Sequence, residues 1–466
     1  MKIRLIGPTF LCLLIAIINV NAQSWEKSFD EQGALSKAFD VVETSDGGYV
    51  TCGEVDLPTG AIRHYVKTIK VDEEGTELWS RIFSYNAINQ EEASALVETT
   101  DGGFLIAGTR TYNTAQVFKI SATGDSLWRK EYGQNGPTKA RDIIVNPKGG
   151  YLIAGTKVLT SNPDVSTFWI ASIDEEGTLL WQNNYPDLDA VGTSGEEIKR
   201  ASNGDFLMAG TFQGGQAALL RIDEDGDQVW VEKYILSIAD EGLSIIEMVN
   251  GNVLLGGYST GFAGNTPFLL EVDANGMMID QVMNIPIDLG AVTDIEKTGD
   301  DGYILTGSGF SFWGNIELQE GFILKLNGNL EAEWDSLLSS ATLQGTAIAQ
   351  TSDDGYIMSG YSGSGMLLKK IGGIANSETE PLYEKNSIAN IYPNPTTENL
   401  FVEFLGIDLQ ENISLEIYTS DGRLIKSEQL TKANETISMK NLSSGNYTYL
   451  IKGVEKILQS GLLTVL

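Results

Sequence analysis

Histidine and cysteine are nearly missing from this chain of 466 residues, which has one histidine, His64, and two cysteines, Cys12 and Cys52. A metal centre built on several imidazoles is thereby excluded, and a Ser-His-Asp arrangement would have to use His64 itself. Cys12 lies in a segment expected to be removed. The mature chain then holds Cys52 alone, forms no intramolecular disulfide, and must be stabilised by its core and by closure of the fold. Prolines number only 11 against 51 glycines, which argues for many tight turns rather than a Pro-rich low-complexity chain. Basic residues are scarce too: 31 Lys and Arg face 63 Asp and Glu, a net charge of −32. Phosphate backbones are held by clustered Lys and Arg, so no nucleic acid is expected as a partner. Most of the excess acid falls between residues 23 and 373, where it reads as a solvated surface.

Long apolar runs are lacking as well. Phe10 to Val20 falls short of the ~20 residues that span a bilayer. With Lys2 and Arg4 before it and Val20-Asn21-Ala22 after it, residues 1–22 read as a secretory signal peptide and Gln23 as the mature terminus.

What the chain does have is a repeat. A glycine followed by an aromatic, then a second glycine four residues on, recurs as Tyr49/Gly53, Phe104/Gly108, Tyr151/Gly155, Phe206/Gly210, Val253/Gly257, Tyr303/Gly307 and Tyr356/Gly360, with Val253 non-aromatic. A period of roughly fifty residues built from short strands signals a propeller or a solenoid. The first unit reads as strands over 38–43, 49–53, 65–71 and 77–83, joined by turns at Ser45-Asp46-Gly47-Gly48 and Asp72-Glu73-Glu74-Gly75. Asp-Gly pairs suit primed hairpin turns with two positive φ angles. Four antiparallel strands make one blade.

Trp79, Trp128, Trp181 and Trp230 mark the fourth strand, each with an aromatic four residues later, while the fifth unit has Asp280 instead. We read the tryptophans as packing between blades. On the first strand, Ala38, Ala93, Ala140, Gly195, Gly242, Val292 and Gly345 suit a crowded position near a ring axis. The seventh unit lacks a fourth strand, and Trp25 to Phe29 supplies the missing pattern at the other end of the chain. The expected fold is all-β: a seven-bladed β-propeller over 23–373 closed by the N-terminal strand, a linker over 374–387, and a small C-terminal β-sandwich over 388–466.

In that last module, Ile391-Tyr392-Pro393-Asn394-Pro395, then Tyr418-Thr419-Ser420-Asp421-Gly422-Arg423, then Ser443-Ser444-Gly445-Asn446-Tyr447 resemble the type A C-terminal sorting domain of the type IX secretion system in Bacteroidetes. The resemblance implies that type IX secretion machinery is a partner and that the chain is secreted or displayed on the outer membrane. Tyr392, Pro393, Asn394, Pro395, Asp421, Gly422, Arg423, Gly445 and Tyr447 carry the motif. The chain departs from the family near its end, where Lys456 lies further back than the usual basic residue.

Chemistry in the ring is less legible. His64 at the start of a third strand reads as structural, and Cys52 as a small core residue. Asp223-Glu224-Asp225-Gly226-Asp227 has its glycine too early for a calcium loop and reads as a turn. No metal or cofactor is implied. The best candidates are the first-strand acids Asp40, Asp142, Glu197 and Asp294, which could gather at the channel mouth or could accept backbone N–H groups of neighbouring strands. Phe312 and Trp313, outside the repeating tryptophan position, are candidates for stacking on a sugar. The leading expectation is a monomeric, non-catalytic binding module for an extracellular glycan or protein. A carbohydrate-active hydrolase or lyase using the channel carboxylates, and a structural surface protein, are the alternatives.

Overall fold

The computed structural model describes residues 24–372 and 389–465, apart from 31–33, 58–63, 85–90, 111–112, 186–191, 213, 238, 262–263, 283–289, 314–315, 339–343, 364, 393–395, 397–398, 405–412, 420–423, 433, 441, 444 and 453–456. The expected signal peptide and linker lie outside the described residues. Every named element is a strand.

Sheet 1 is built from Leu35–Glu43, Tyr49–Asp56, His64–Val71 and Glu77–Phe83, paired antiparallel in chain order. The same order gives sheet 2 from Glu91–Glu98 onward, sheet 3 from Thr138–Val145, sheet 4 from Thr193–Arg200, sheet 5 from Ala239–Glu247 and sheet 6 from Gly290–Lys297. Sheet 7 takes Gln344–Gln350, Tyr356–Ser362 and Gly365–Ile371 from the end of the series and Trp25–Phe29 from its beginning, with Trp25 opposite Lys370 and Phe29 opposite Met366.

A bulge in each first strand accounts for the glycine of the repeat. The register shifts between Ala38 and Asp40, and equivalently in the other six sheets. Ala38 lies opposite Gly53 at the shift. There a Cβ on Gly53 would sit 1.9 Å from the Lys37 carbonyl oxygen, and one on Gly108, Gly155, Gly210, Gly257, Gly307 or Gly360 would meet the matching carbonyl at 1.9–2.0 Å. No other residue fits this approach.

The turns differ from the expected primed type. In Asp72-Glu73-Glu74-Gly75 only Gly75 has positive φ (75°), the Gly75 N–H donates to the Asp72 carbonyl, and the register slips between Lys70 and Val71. One left-handed glycine after a tight turn, with a bulge, achieves the same reversal.

Trp25, Trp79, Trp128, Trp181 and Trp230 of the fourth strands each lie on the turn glycine of the next sheet. A Cβ on Gly75, Gly124, Gly177 or Gly226 would come within 2.5–3.0 Å of the rings of Trp25, Trp79, Trp128 and Trp181 respectively. Apolar clusters join successive sheets in the same way, one of them joining Trp25, Ile357 and Leu368 of sheet 7 to Ala38, Val41 and Tyr49 of sheet 1. The small residues of the first strand are crowded by the neighbouring sheet rather than by an axis. A Cβ on Gly195 would meet the Gly155 oxygen of sheet 3 at 2.6 Å, and one on Gly242 the Gly210 oxygen of sheet 4 at 2.8 Å.

Buried basic residues of the third strand, which the sequence pattern did not signal, hold the first turn of their own sheet. Lys70 pairs with Asp46 at 2.5 Å, Lys119 with Asp101 and Arg221 with Asp205 at 2.7 Å, and Lys325 with Asp300 and Lys370 with Asp353 at 2.9 Å. Removing the aspartate would cost a buried cation its carboxylate, although Lys325 would keep Glu333 at 3.0 Å.

In the C-terminal module Ala389–Tyr392, Asn399–Phe404 and Asn434–Ser438 form one sheet. Leu424–Leu430, Ile413–Thr419, Gly445–Lys452 and Ile457–Val465 form another. Leu400 and Val402 of the first share a core with Leu415, Ile417 and Ile451 of the second.

Candidate functional site: the cavity bounded by the first strands

The first strands enclose a cavity of about 750 Å³. Asp40, Asp142, Glu197 and Asp294 all line it. Their oxygens, however, are already engaged. Asp40 accepts the Val41 N–H with one oxygen and the Leu96 N–H of sheet 2 with the other, both at 2.7 Å. Asp142 takes Ile143 N–H at 2.7 Å and Ile198 N–H of sheet 4 at 2.8 Å. Asp294 takes Ile295 N–H at 2.8 Å and Ile348 N–H of sheet 7 at 2.7 Å. Glu197 accepts Ile245 N–H of sheet 5 at 2.8 Å and the Ser244 hydroxyl at 2.6 Å, and its other oxygen lies 3.1 Å from Lys199 Nζ. In sheet 5, Ser244 stands in the acid's place and its hydroxyl oxygen accepts Ile295 N–H at 3.0 Å. In sheets 2, 4, 5 and 7 a first-strand N–H beside the bulge is thus capped by an acid of the preceding sheet, and in sheet 6 by Ser244.

Burial pushes the Asp40 carboxyl up to about 7, helped by the charge of Asp142 and opposed by the Leu96 N–H. Asp142 is pushed up to about 6, by burial first and then by Glu197. Glu197 and Asp294 are also raised, chiefly by burial. Lys199 is pulled down by burial, but Glu197, Glu296 and Asp294 outweigh this and hold it well above the ordinary lysine value. Its amine also pairs with Glu296.

A second ring of side chains comes from the bulged residues themselves, which sequence reasoning missed because a bulge breaks the two-residue alternation. Phe39, Ser94, Arg141, Glu196, Leu243, Thr293 and Thr346 each line the cavity. Three hydroxyls are tied to backbone carbonyls of the next sheet: Ser94 donates to Ala140 O at 3.1 Å, Thr293 to Gly345 O at 2.9 Å and Thr346 to Ala38 O at 3.0 Å. Arg141 lies between two carboxylates, Nη1 3.5 Å from Glu92 and Nε 3.5 Å from Glu196. These pairs are looser than the ~2.8 Å of a charge-assisted hydrogen bond. Burial raises the Glu196 carboxyl, and Arg141 opposes the rise.

The other candidates fall elsewhere. Phe312 and Trp313 end the strand Tyr303–Trp313, opposite Glu317 and Ile316, and their side chains are outside the described residues. His64 opens its strand with Nδ1 2.5 Å from Asp56 Oδ1 and 3.4 Å from Glu54. Cys52 is fully buried, and burial pushes its thiol well up. Asp223 accepts the N–H groups of Asp225 and Asp227 at 3.0 and 2.9 Å, as a turn-capping residue does.

Of the sorting motif, Tyr447 is buried and donates its hydroxyl to Ser443 O at 2.6 Å, while Tyr392 and Gly445 lie on strands. Pro393, Asn394, Pro395, Asp421, Gly422 and Arg423 lie outside the described residues.

Repeated four-stranded antiparallel sheets of this kind define a propeller-like all-β protein. The chain is similar to a catalytically inactive virginiamycin B lyase from Staphylococcus aureus, solved with quinupristin, at 13% identity and a TM-score of 0.50 over 75% of this chain and 100% of that one. At that identity the likeness concerns the fold alone. Sqt1 from Chaetomium thermophilum matches at 11% identity and TM-score 0.45, covering 76% of this chain and 88% of that one. The extracellular domain of a hybrid two-component system from B. thetaiotaomicron matches at 10% identity and TM-score 0.35, covering 92% and 69%. No curated protein sequence matches. Residues 390–462 match the secretion system C-terminal sorting domain. The type IX sorting domain makes the secretion machinery a partner and implies export to the cell surface or beyond.

Proposed function

We propose that the chain is an exported, closed, seven-bladed β-propeller that acts as a non-catalytic binding module for an extracellular glycan or protein. In this reading residues 1–22 are a signal peptide, 23–373 the ring, 374–387 a linker and 388–466 the sorting domain of a Bacteroidetes protein. The ring is a monomer. Closure is supported by contacts that repeat across the 7–1 junction. Glu43 of sheet 1 accepts the Ser352 N–H and hydroxyl of sheet 7 at 2.8 Å, as Glu98 of sheet 2 accepts those of Ser45 in sheet 1.

The observation that carries the non-catalytic reading is the engagement of all eight oxygens of Asp40, Asp142, Glu197 and Asp294. A general acid or nucleophile needs an oxygen free to meet its substrate. Here one oxygen of each acid reaches the next sheet and the other is held within its own, which leaves the cavity to bind through its remaining side chains and through the variable segments at 56–63, 112–114, 159–165, 261–267 and 310–318. An array of polysaccharides and surface proteins, scored for both binding and turnover, tests this. Binding without turnover is expected. Turnover that disappears in Asp142→Asn would reverse the reading in favour of a hydrolase or lyase.

A further inference from the structure

We infer that the arc Glu92–Arg141–Glu196, flanked by Phe39 and Leu243, is a subsite for a neutral saccharide with adjacent hydroxyl groups. The inference rests on the binding-module reading above and specifies its ligand.

The arc spans sheets 2, 3 and 4, with Arg141 at its centre and a carboxylate on each side. Phe39 of sheet 1 and Leu243 of sheet 5 flank it, two sheets away from Arg141 in either direction. Charge in the middle and apolar surface at both edges suits a ligand that carries polar edges and apolar faces. A pyranose ring is such a ligand, with hydroxyls around its rim and C–H groups that pack on an aromatic ring.

The loose ion pairs give the polar half of the argument. A hydroxyl both donates and accepts, so one hydroxyl can donate to Glu92 or Glu196 while accepting from the Arg141 guanidinium. The planar fork of Arg141 can serve two neighbouring hydroxyls at once. The three other polar residues of the bulge ring, Ser94, Thr293 and Thr346, spend their hydroxyl protons on backbone carbonyls. The polar capacity of this ring is therefore concentrated on the arc.

Charge selects a neutral ligand. Among the described residues, Glu43, Glu92, Asp40, Asp142, Glu196, Glu197, Asp294 and Glu296 line the cavity against Arg141 and Lys199 as bases. An anionic sugar would meet this excess of carboxylates at short range. A cationic ligand would have to compete with Arg141 and Lys199, which already pair with Glu92, Glu196, Glu197 and Glu296.

Isothermal titration of the full chain with neutral gluco-, manno-, galacto- and xylo-oligosaccharides, a uronic-acid oligosaccharide and a lysine-rich peptide tests the assignment. At least one neutral oligosaccharide should bind. Its affinity should fall about 10- to 100-fold in Arg141→Met and in Glu196→Gln, the usual loss for a charged hydrogen-bonding partner. Arg141→Lys should recover little of it, since the fork is lost. Phe39→Ala should weaken binding as well. Thermal melting of each variant separates lost binding from lost folding. Unchanged affinity in Arg141→Met, or no binding by any neutral oligosaccharide, overturns the inference. Preference for the peptide or the uronic acid overturns it too, while leaving the binding-module reading standing. Turnover of a bound neutral oligosaccharide would do the opposite, keeping the subsite and ending the non-catalytic reading.

Discussion

The indole of Trp25 rests on Gly75, so close that a Cβ on the glycine would lie 2.8 Å from two of its ring carbons, and its Nε1 donates to Glu73 O at 2.8 Å. Trp79 stands in the same relation to the next sheet, over Gly124 and with Nε1 3.1 Å from Ala122 O. The first strand of the chain is therefore bound to sheet 1 as the fourth strand of sheet 1 is bound to sheet 2.

Trp25→Ala should accordingly cost about 3–5 kcal/mol, the range for deleting a buried large aromatic. Urea unfolding of the variant checks this. A loss below ~1 kcal/mol would mean that the N-terminal strand contributes like a frayed end.

The fifth and sixth sheets depart from the pattern together. Asp280 stands where its neighbours have tryptophan, and the next turn has Leu330 at φ 64° where the others have glycine. Leu330 packs against the core shared by sheets 5 and 6. Asp280→Trp alone should give no gain, because a leucine side chain occupies the turn position on which a tryptophan rests. Combined with Leu330→Gly, which also relieves the left-handed strain, it should stabilise more than the sum of the single changes. A double-mutant cycle measures the coupling, and additivity would contradict the tryptophan-on-glycine account.

Asp294 joins three sheets through its contacts with Ile295, Ile348 and Ser244. Asp294→Ala strands the buried Ile348 N–H, at about 1–3 kcal/mol, while the Ile295 N–H keeps the Ser244 hydroxyl oxygen at 3.0 Å. Asp294→Asn keeps one acceptor and should lose less. Chemical denaturation orders the two, and an equal loss would mean that the acceptor count does not matter.

Stability should depend on pH in an unusual direction near neutrality. Asp40 and Asp142 have folded values of about 7 and about 6 against an ordinary 3.8. Between those limits the folded chain binds more protons than the unfolded one, so their contribution is complete below about pH 4 and is lost as pH rises to about 7. Asp46, Asp101 and Asp353 are lowered instead; side-chain hydrogen bonds from Lys70 and Lys119 lead the shift in Asp46 and Asp101, while in Asp353 bonds from Thr351 and Lys370 outweigh burial. Their contribution is present above about pH 4 and lost below it. The melting temperature should be higher at pH 5.5 than at pH 8, and the difference should shrink in Asp40→Asn. A higher value at pH 8 would contradict the burial of these acids.

Strand positions could be read from the letters because the repeat supplies several aligned examples of each. Gly53 and its counterparts signalled a constraint, although its origin, a bulge on the facing strand, lies in a pairing that spacing along one strand cannot show. The same bulge hid Arg141 and Glu196, since an alternation of two assigns them to the wrong side. Asp40 and Asp142 could be placed near the cavity from sequence, but their N–H partners sit in other sheets. The loop aromatic Trp313 stood out by type alone, and composition does not say where a side chain points.

Glu26 and Lys369 face each other where the N-terminal strand pairs with Gly365–Ile371 of sheet 7. Replacing both by cysteine in the chain that begins at Gln23 gives the most direct test, because Cys52 is buried and does not compete. Oxidation should yield a monomer with one disulfide between positions 26 and 369, melting several degrees above the reduced form, as expected for a cross-link over so long a loop. Three free thiols, those at 26 and 369 with Cys52, or disulfide-linked dimers alone, would show that the chain's ends do not meet and that the ring is open.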